Sequence, residues 1–366
     1  MPSVAAIRPT DIFTPDQWRA FTRVSRWRGL WLIVHAWVCV AAIMALALWV
    51  GHWLAYIPAI LLIGGRQLGL AILMHDAAHG LTHPQRGINN FAGQWLSGAA
   101  VGSDLHSYRT YHLTHHRYTQ QDEDPDLPLS APFPTTRNSL IRKCVRDATG
   151  QTAFKQRRAQ AALAWRGLRA MLAGHGTDAG TSTPTHNVAG TPFNHNGAAA
   201  TPENTAGAFS GGSPENAAGA LVYGSPENTA AMAVARTVGR FLVVQAVLLA
   251  LSLWLWGWTP FLLWVAALCT SFQLALRIRN IAEHACTNSG PGDPFSHART
   301  TRASAIERAL VAPYWVNFHI EHHLFMGVPC YRLMAVHHHL LDHGYGYRMM
   351  VADSYGAVMR RVVAPA

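Results

Sequence analysis

Residues 53–79 read WLAYIPAILLIGGRQLGLAILMHDAAH, an apolar segment that ends in two histidines. About 20 apolar residues in a helix cross the hydrocarbon core of a membrane, so we expect a spanning helix from Trp53 to about Leu73. His75 and His79 stand at positions i and i+4, which lie on the same face of a helix. The segment therefore predicts a membrane span whose helix continues into a candidate metal site.

Three further clusters have comparable spacing and also follow apolar or helical segments. They read His112-Leu-Thr-His115-His116, Asn280-Ile-Ala-Glu-His284 and His319-Ile-Glu-His322-His323. Histidines at i, i+3 and i+4 can direct two or three ring nitrogens at a common point. Neutral imidazole is a good ligand for iron, zinc or copper. Four such clusters together indicate a polynuclear metal site.

The composition indicates a membrane protein. The chain has 366 residues, of which 50% are hydrophobic and only 13% are charged, which is too apolar for an ordinary soluble domain of this size. The net charge of +10 is compatible with nucleic acid or with an anionic membrane surface. The apolar segments favour the membrane, so we expect no nucleic-acid partner. Five cysteines without CxxC spacing indicate neither a disulfide framework nor a zinc ribbon.

Four spans are predicted, in two helical hairpins. In addition to the segment that begins at Trp53, they cover about 30–50, 241–258 and 261–276. The tips at Gly51-His52 and Thr259-Pro260 contain no Lys or Arg, whereas basic residues flank the opposite ends of the spans: Arg19, Arg23, Arg26, Arg28, Arg277 and Arg279. By the positive-inside rule, we expect an integral multi-pass protein with both termini and every histidine cluster on the cytoplasmic side.

The fold class that we predict is therefore an all-α membrane protein with a cytoplasmic helical cap that carries the histidines, as one domain over residues 1–366. Residues 174–230 depart from it, because they are rich in Gly, Ala, Pro, Asn and Thr and repeat a Pro-Glu-Asn phrase after Thr201, Ser213 and Ser225. Such a segment cannot bury enough apolar surface to offset its ordering entropy. We predict a disordered low-complexity insertion there.

Two other segments each allow two interpretations from the sequence. Residues 137–169 interleave Arg and Lys with apolar side chains, which fits a helix on anionic lipid headgroups or an ordinary solvated helix face. The run His337-His338-His339, with His343, is either an extra metal site or an exposed helix face packed over the last cluster.

The order HxxxH, HxxHH, NxxxH, HxxHH around two hairpins resembles the integral-membrane fatty acid desaturases. The resemblance covers about 66–126 and 280–341 and includes the segments 108–119, 122–126 and 316–325. It implies a pair of iron ions held by His75, His79, His112, His115, His116, His284, His319, His322 and His323. It also implies that Asn280, one turn before His284, holds a water on one iron.

Three acids adjoin these histidines in sequence: Asp76, Glu283 and Glu321. They either accept hydrogen bonds from imidazole N–H groups or are solvated acids on the far faces of the helices. No catalytic residue beyond the metal ligands is predicted.

The resemblance implies an enzyme that uses molecular oxygen to introduce a double bond into the acyl chain of a lipid. A related hydroxylase or ketolase acting on a lipid or carotenoid is the alternative, since fold alone does not identify the reaction. The chain has no GxGxxG fingerprint or heme-binding domain, so we expect an external electron donor, a ferredoxin or a b-type cytochrome. An intramembrane zinc protease would require HExxH, which does not occur.

Overall fold

A computed structural model describes residues 7–173, 226–289 and 292–364. The insertion predicted at 174–230 lies outside the described residues up to residue 225. Its last five residues, 226–230, belong to a helix.

The described chain is almost entirely helical. Its α-helices are α1 (Pro15–Thr22), α2 (Arg28–Val50), α3 (Trp53–Ala78), α4 (Arg86–Gly93), α5 (Ala99–Val101), α6 (Leu105–Tyr118), α7 (Leu127–Ser130), α8 (Arg137–Ala148), α9 (Gln151–Leu172), α10 (Pro226–Leu255), α11 (Thr259–Cys269), α12 (Ser271–His284), α13 (Ala305–Leu310), α14 (His319–Leu324), α15 (Cys330–Asp342) and α16 (Tyr355–Arg361). Strands β1 (Thr300–Thr301) and β2 (Val351–Ala352) pair in parallel. Single turns of 3₁₀-helix cover Pro9–Asp11, Pro294–Ser296, Pro313–Trp315 and Tyr345–Arg348, and a π-turn covers Gln94–Gly98.

Four helical segments are long and apolar enough to cross a membrane. They are Arg28–Val50, Trp53–Ala78, Thr229–Leu255 and Thr259–His284. Gly51 ends α2 in the left-handed conformation (φ 65°), which glycine adopts without steric cost. Only two residues separate α2 from α3, and the two helices pack against each other. The four predicted spans are confirmed as helices.

The fourth span is interrupted at Thr270, a break that the apolar pattern did not predict. Its φ and ψ of −122° and −84° separate α11 from α12. Backbone carbonyls near the break accept hydrogen bonds from side chains: Gln67 Nε2 donates to the Trp264 carbonyl at 2.9 Å, and Gln273 Nε2 to the Leu268 carbonyl at 3.2 Å. Such side-chain bonds satisfy backbone groups that water cannot reach in a bilayer.

Helix α3 continues without a break past the predicted end of the span and carries His75 near its C-terminus. Arg66, in the middle of this helix, donates to the backbone carbonyls of Arg308 and Ala309 at 3.1 and 3.0 Å. These carbonyls belong to the last turn of α13, where unsatisfied carbonyls favour a cation. Arg66 therefore fastens α13 to the side of α3.

The basic segment 137–169 forms two helices, which Gly150 separates with a φ of 78°. Helix α9 packs along α10 and exposes Phe154 and Trp165. The strand pair joins Thr300 to Val351 and lies beside α14 and α16, and α16 in turn packs on α12. These contacts place the C-terminal residues over the end of the fourth span.

Candidate metal centre

The structure brings all nine predicted histidines together in two adjacent groups. One group contains five residues: His75, His79, His112, His116 and His322. The other contains four: His115, His284, His319 and His323. Within each group the candidate ligand atoms all lie within 4.8 Å of one another. Four helices meet here, since α3, α6, α12 and α14 each contribute.

The two three-histidine clusters are each divided between the groups. On α6, His112 and His116 face one group, while His115 faces the other. On α14 the assignment is reversed, because His319 and His323 join the four-residue group and His322 joins the five-residue group. Each of these helices therefore contributes to both groups, and the sequence did not predict how its histidines divide.

Ring nitrogens approach one another as the ligands of one ion would. His116 Nε2 lies 2.9 Å from both His112 Nε2 and His322 Nε2. In the other group, His319 Nε2 lies 2.8 Å from His284 Nε2 and 3.1 Å from His323 Nε2. With metal–nitrogen distances near 2.1 Å, neighbouring ligand atoms on one ion are about 3 Å apart.

Burial keeps most of these imidazoles neutral, as metal ligation requires. It lowers the pKa of His79 to about 4, and Arg109 adds to the effect. Burial also holds the pKa well below its ordinary value at His112, His116, His319, His322 and His323. His79 Nε2 is buried without a hydrogen-bond partner among the described residues. This nitrogen, the converging Nε2 atoms and the neutral rings fit iron ions.

Asp124 orients His115, a role that the sequence analysis did not assign to it. His115 Nδ1 lies 2.7 Å from Asp124 Oδ1, and both side chains are buried. Burial alone would lower the pKa of His115, but Asp124 and then Asp126 outweigh it and raise that pKa. An imidazole that donates from Nδ1 keeps its Nε2 lone pair for a metal. Asp124 lies in the segment 122–126, which already formed part of the resemblance.

His284 is oriented by a backbone group. Its Nδ1 donates to the His297 carbonyl at 3.2 Å. Thr119 Oγ1 lies 3.3 Å from His323 Nδ1 and also donates to the His115 carbonyl at 2.8 Å. A carboxylate, a carbonyl and a hydroxyl thus support His115, His284 and His323 of the four-residue group.

The three acids predicted beside the histidines are all buried, so none is a solvated acid. Glu283 Oε1 lies 3.4 Å from His319 Nδ1 and 2.5 Å from Arg279 Nε. The other two acids have partners outside the nine histidines. Asp76 accepts from the Cys330 backbone N–H at 3.1 Å.

Glu321 connects the last cluster to α15. It accepts from His337 Nδ1 at 2.5 Å and from Thr300 Oγ1 at 2.6 Å. His337 is buried, whereas His338 is exposed and the His339 ring stacks on His343 at 3.9 Å. The predicted packing of this run over the last cluster is therefore observed for His337, although its side chain is not exposed.

Asn280 lies at the edge of the four-residue group. It lines a small cavity with His115, His284 and His319, of about 10 Å³. Its Nδ2 is buried and has no hydrogen-bond partner among the described residues. A space of this size and polarity accepts about one water molecule.

Two of the arginines used to orient the spans are not free surface charges. Arg279 is 1% exposed and pairs with Glu283. Arg277 pairs with the buried Asp147 of α8. Each charge is thus neutralised by a carboxylate inside the fold, so the predicted orientation rests on the arginines that precede α2.

A larger cavity adjoins the five-residue group and lies between α3 and α12. Its walls include Leu68 and Ile72 from α3 and Phe272 and Leu276 from α12, and His75 also lines it. Polar residues from the α5–α6 connection and from α9 complete the lining. The cavity therefore connects an apolar surface at the level of the spans with His75.

Comparison with known proteins identifies one family. Its sequence model, described as fatty acid desaturase, matches residues 51–177 and 207–353, which contain all nine histidines and Asp124. No curated protein sequence matches the chain.

Proposed function

Because the chain belongs to the fatty acid desaturase family, we propose that it is an oxygen-dependent di-iron desaturase that introduces a double bond into the acyl chain of a lipid. Two hydrogen atoms leave neighbouring carbons, and O₂ accepts them with two electrons and two protons to form two waters. We propose an external ferredoxin or b-type cytochrome as the electron donor.

The observation that carries this proposal is the convergence of nine imidazoles in two groups. A closed structural zinc site uses four ligands, whereas groups of five and four buried or half-buried histidines provide for two ions. When bound, iron would supply the one-electron and O₂ chemistry that removing hydrogen from an unactivated methylene requires. We propose the nine histidines as its ligands.

The protein's own residues position the ligands and the substrate. Asp124 holds the tautomer and ring orientation of His115. The small cavity that Asn280 lines supports a role for it in holding a water beside the four-residue group. The apolar residues that line the cavity beside His75 support an apolar substrate there. Desaturation then requires that two adjacent methylenes lie within reach of the oxidant.

Analysis of products tests the reaction. In a host that makes saturated lipids and supplies a compatible electron donor, we expect acyl chains lighter by two hydrogen atoms. His115→Ala should abolish them, and His338→Ala, which alters an exposed histidine, should not. Expression with a ferredoxin or with a b-type cytochrome would identify the donor class.

Other products would refute the proposed reaction without refuting the metal site. Chains heavier by one oxygen atom, or a change confined to carotenoids, would refute desaturation and identify the alternative hydroxylase or ketolase.

We also propose that the metal centre and both termini face the cytoplasm. Arg23 and Arg26 are exposed before α2 and Arg28 is exposed at its first position, while the connection Gly51-His52 carries no Lys or Arg. A cysteine at His52 should therefore react with an impermeant thiol reagent only from outside the cell. A cysteine at Arg23 should react only after the membrane is opened. The wild-type protein, labelled in the same way, gives the background from the five native cysteines. Equal labelling of both positions from outside would contradict this orientation.

A further inference from the structure

The cavity beside the five-residue group contains a cation at its polar side. Arg157, on α9, lines the same cavity as His75, Leu68 and Phe272. Seven residues of α3 separate Leu68 from His75, a distance of about 10 Å along the helix. The cavity is thus lined by an apolar wall, by the candidate metal ligand His75 and by two guanidiniums, of which Arg279 is already paired with Glu283.

Several contacts hold this guanidinium in place. Arg157 Nη1 donates to Gln160 Oε1 at 2.8 Å, and Nη2 donates to the Val101 carbonyl at 3.2 Å. Its Cζ lies 4.6 Å from the centroid of the Phe241 ring. Gly102 (φ 83°) permits this approach, since a Cβ there would lie 2.5 Å from Nη1. The side chain is therefore preorganised.

Arg157 has no counter-ion within the described residues. No carboxylate there lies within ion-pair distance of it, and the cavity's own acid, Asp104, is already engaged. Asp104 Oδ2 pairs with Arg240, and Oδ1 caps α6 by accepting from the His106 and Ser107 backbone N–H groups. Burial lowers the pKa of Arg157. A partly buried cation without a counter-ion destabilises the fold unless an anion joins it.

We propose that Arg157 binds the anionic head of the substrate, a carboxylate or a phosphate, and that the carbon to be oxidised is selected by its distance from that head. A guanidinium matches either anion with two parallel hydrogen bonds. Because His75 lines the same cavity, a chain anchored at Arg157 presents a carbon at a set distance to the metal centre. This inference rests on the proposed acyl substrate.

Direct binding tests the anion site without turnover. Purified full-length protein is titrated with labelled palmitate, with its methyl ester and with dipalmitoyl phosphatidic acid. Arg157→Gln should weaken binding of the anionic probe about tenfold to a hundredfold, and Arg157→Lys should weaken it less. Arg158→Gln, on the same helix but exposed, should bind as wild type does.

The probes distinguish the two sources of the anion. A loss confined to palmitate identifies a carboxylate head, and a loss confined to phosphatidic acid identifies a phosphate head. The site would be overturned if wild type bound the methyl ester as tightly as it binds palmitate and phosphatidic acid. It would also be overturned if Arg157→Gln bound both anions as tightly as wild type does. Since no reaction is needed, these results do not depend on whether the enzyme desaturates or hydroxylates.

The position of the modified carbon tests the second part of the inference, that its distance from the head selects it. With saturated chains of several lengths, the new functional group should stay at the same carbon counted from the head. A position that stays constant from the methyl end would overturn this anchoring. Absence of any modified acyl chain, together with Arg157-dependent binding, would reject the proposed reaction and leave the anion site standing.

Discussion

His322→Ala should lose one of the iron ions and all desaturase activity, because it removes one nitrogen from the five-residue group and leaves the other group intact. His323→Ala should do the same to the four-residue group, where only three histidines would remain. Wild type should contain about two iron ions per chain and each variant about one. Metal analysis of purified protein, with product analysis in the same preparation, measures both effects.

Two checks make this result specific. Both variants should remain membrane-inserted and elute as wild type does in detergent, which excludes simple misfolding. His338→Ala should retain full iron and activity, since that side chain is exposed on α15. Full iron content and full activity in His322→Ala would remove His322 from the ligand set.

Asp124→Asn should reduce iron affinity or activity about tenfold to a hundredfold, the usual effect of removing a carboxylate that orients a metal-bound histidine. Asp124 accepts hydrogen bonds from the Gln120 and Asp126 backbone N–H groups, each at 2.8 Å. The asparagine has one side-chain oxygen and can keep one of these two bonds. It loses the negative charge that favours the His115 N–H donor. The measurement is the rate of iron loss to a chelator, compared with turnover.

Asp122→Asn is the matched control, because Asp122 lies in the same segment and is exposed. A role for Asp124 in loop structure alone would lower thermal stability in detergent without accelerating iron loss. If Asp124→Asn and Asp122→Asn released iron at the same rate, the assigned contact with His115 would have no role in holding the metal.

The spans and the histidine clusters could be predicted from sequence because both are local properties. Apolar length predicts where a helix crosses the bilayer, and the spacing of histidines within one helix predicts which face they share. Thus Trp53 to Ala78 forms one helix that carries His75 at its end. The break at Thr270 could not be predicted in this way, because the side chains that satisfy its carbonyls include Gln67 from another span.

The division of the histidines is only partly local. On α6, His116 follows His112 by about 40° around the helix axis, whereas His115 lies about 60° to the other side. This rotation separates His115 from the other two, but it does not say which helices complete each group. That depends on how α3, α6, α12 and α14 meet in the tertiary structure, which brings His322 to His79 and His115 to His284.

The difference between what local sequence predicts and what tertiary packing decides is clearest for charged residues. The sequence identified Arg277 as a basic residue beyond the predicted end of a span and Asp124 as an acid in a family-like segment. Residue type alone does not predict burial or the partner of a charge: Arg277 pairs with Asp147 of α8, Asp124 contacts His115, and Glu321 contacts His337 rather than a neighbouring histidine. Residue order and spacing are properties of one helix, whereas the partner of a buried charge is whatever another segment places within about 3 Å.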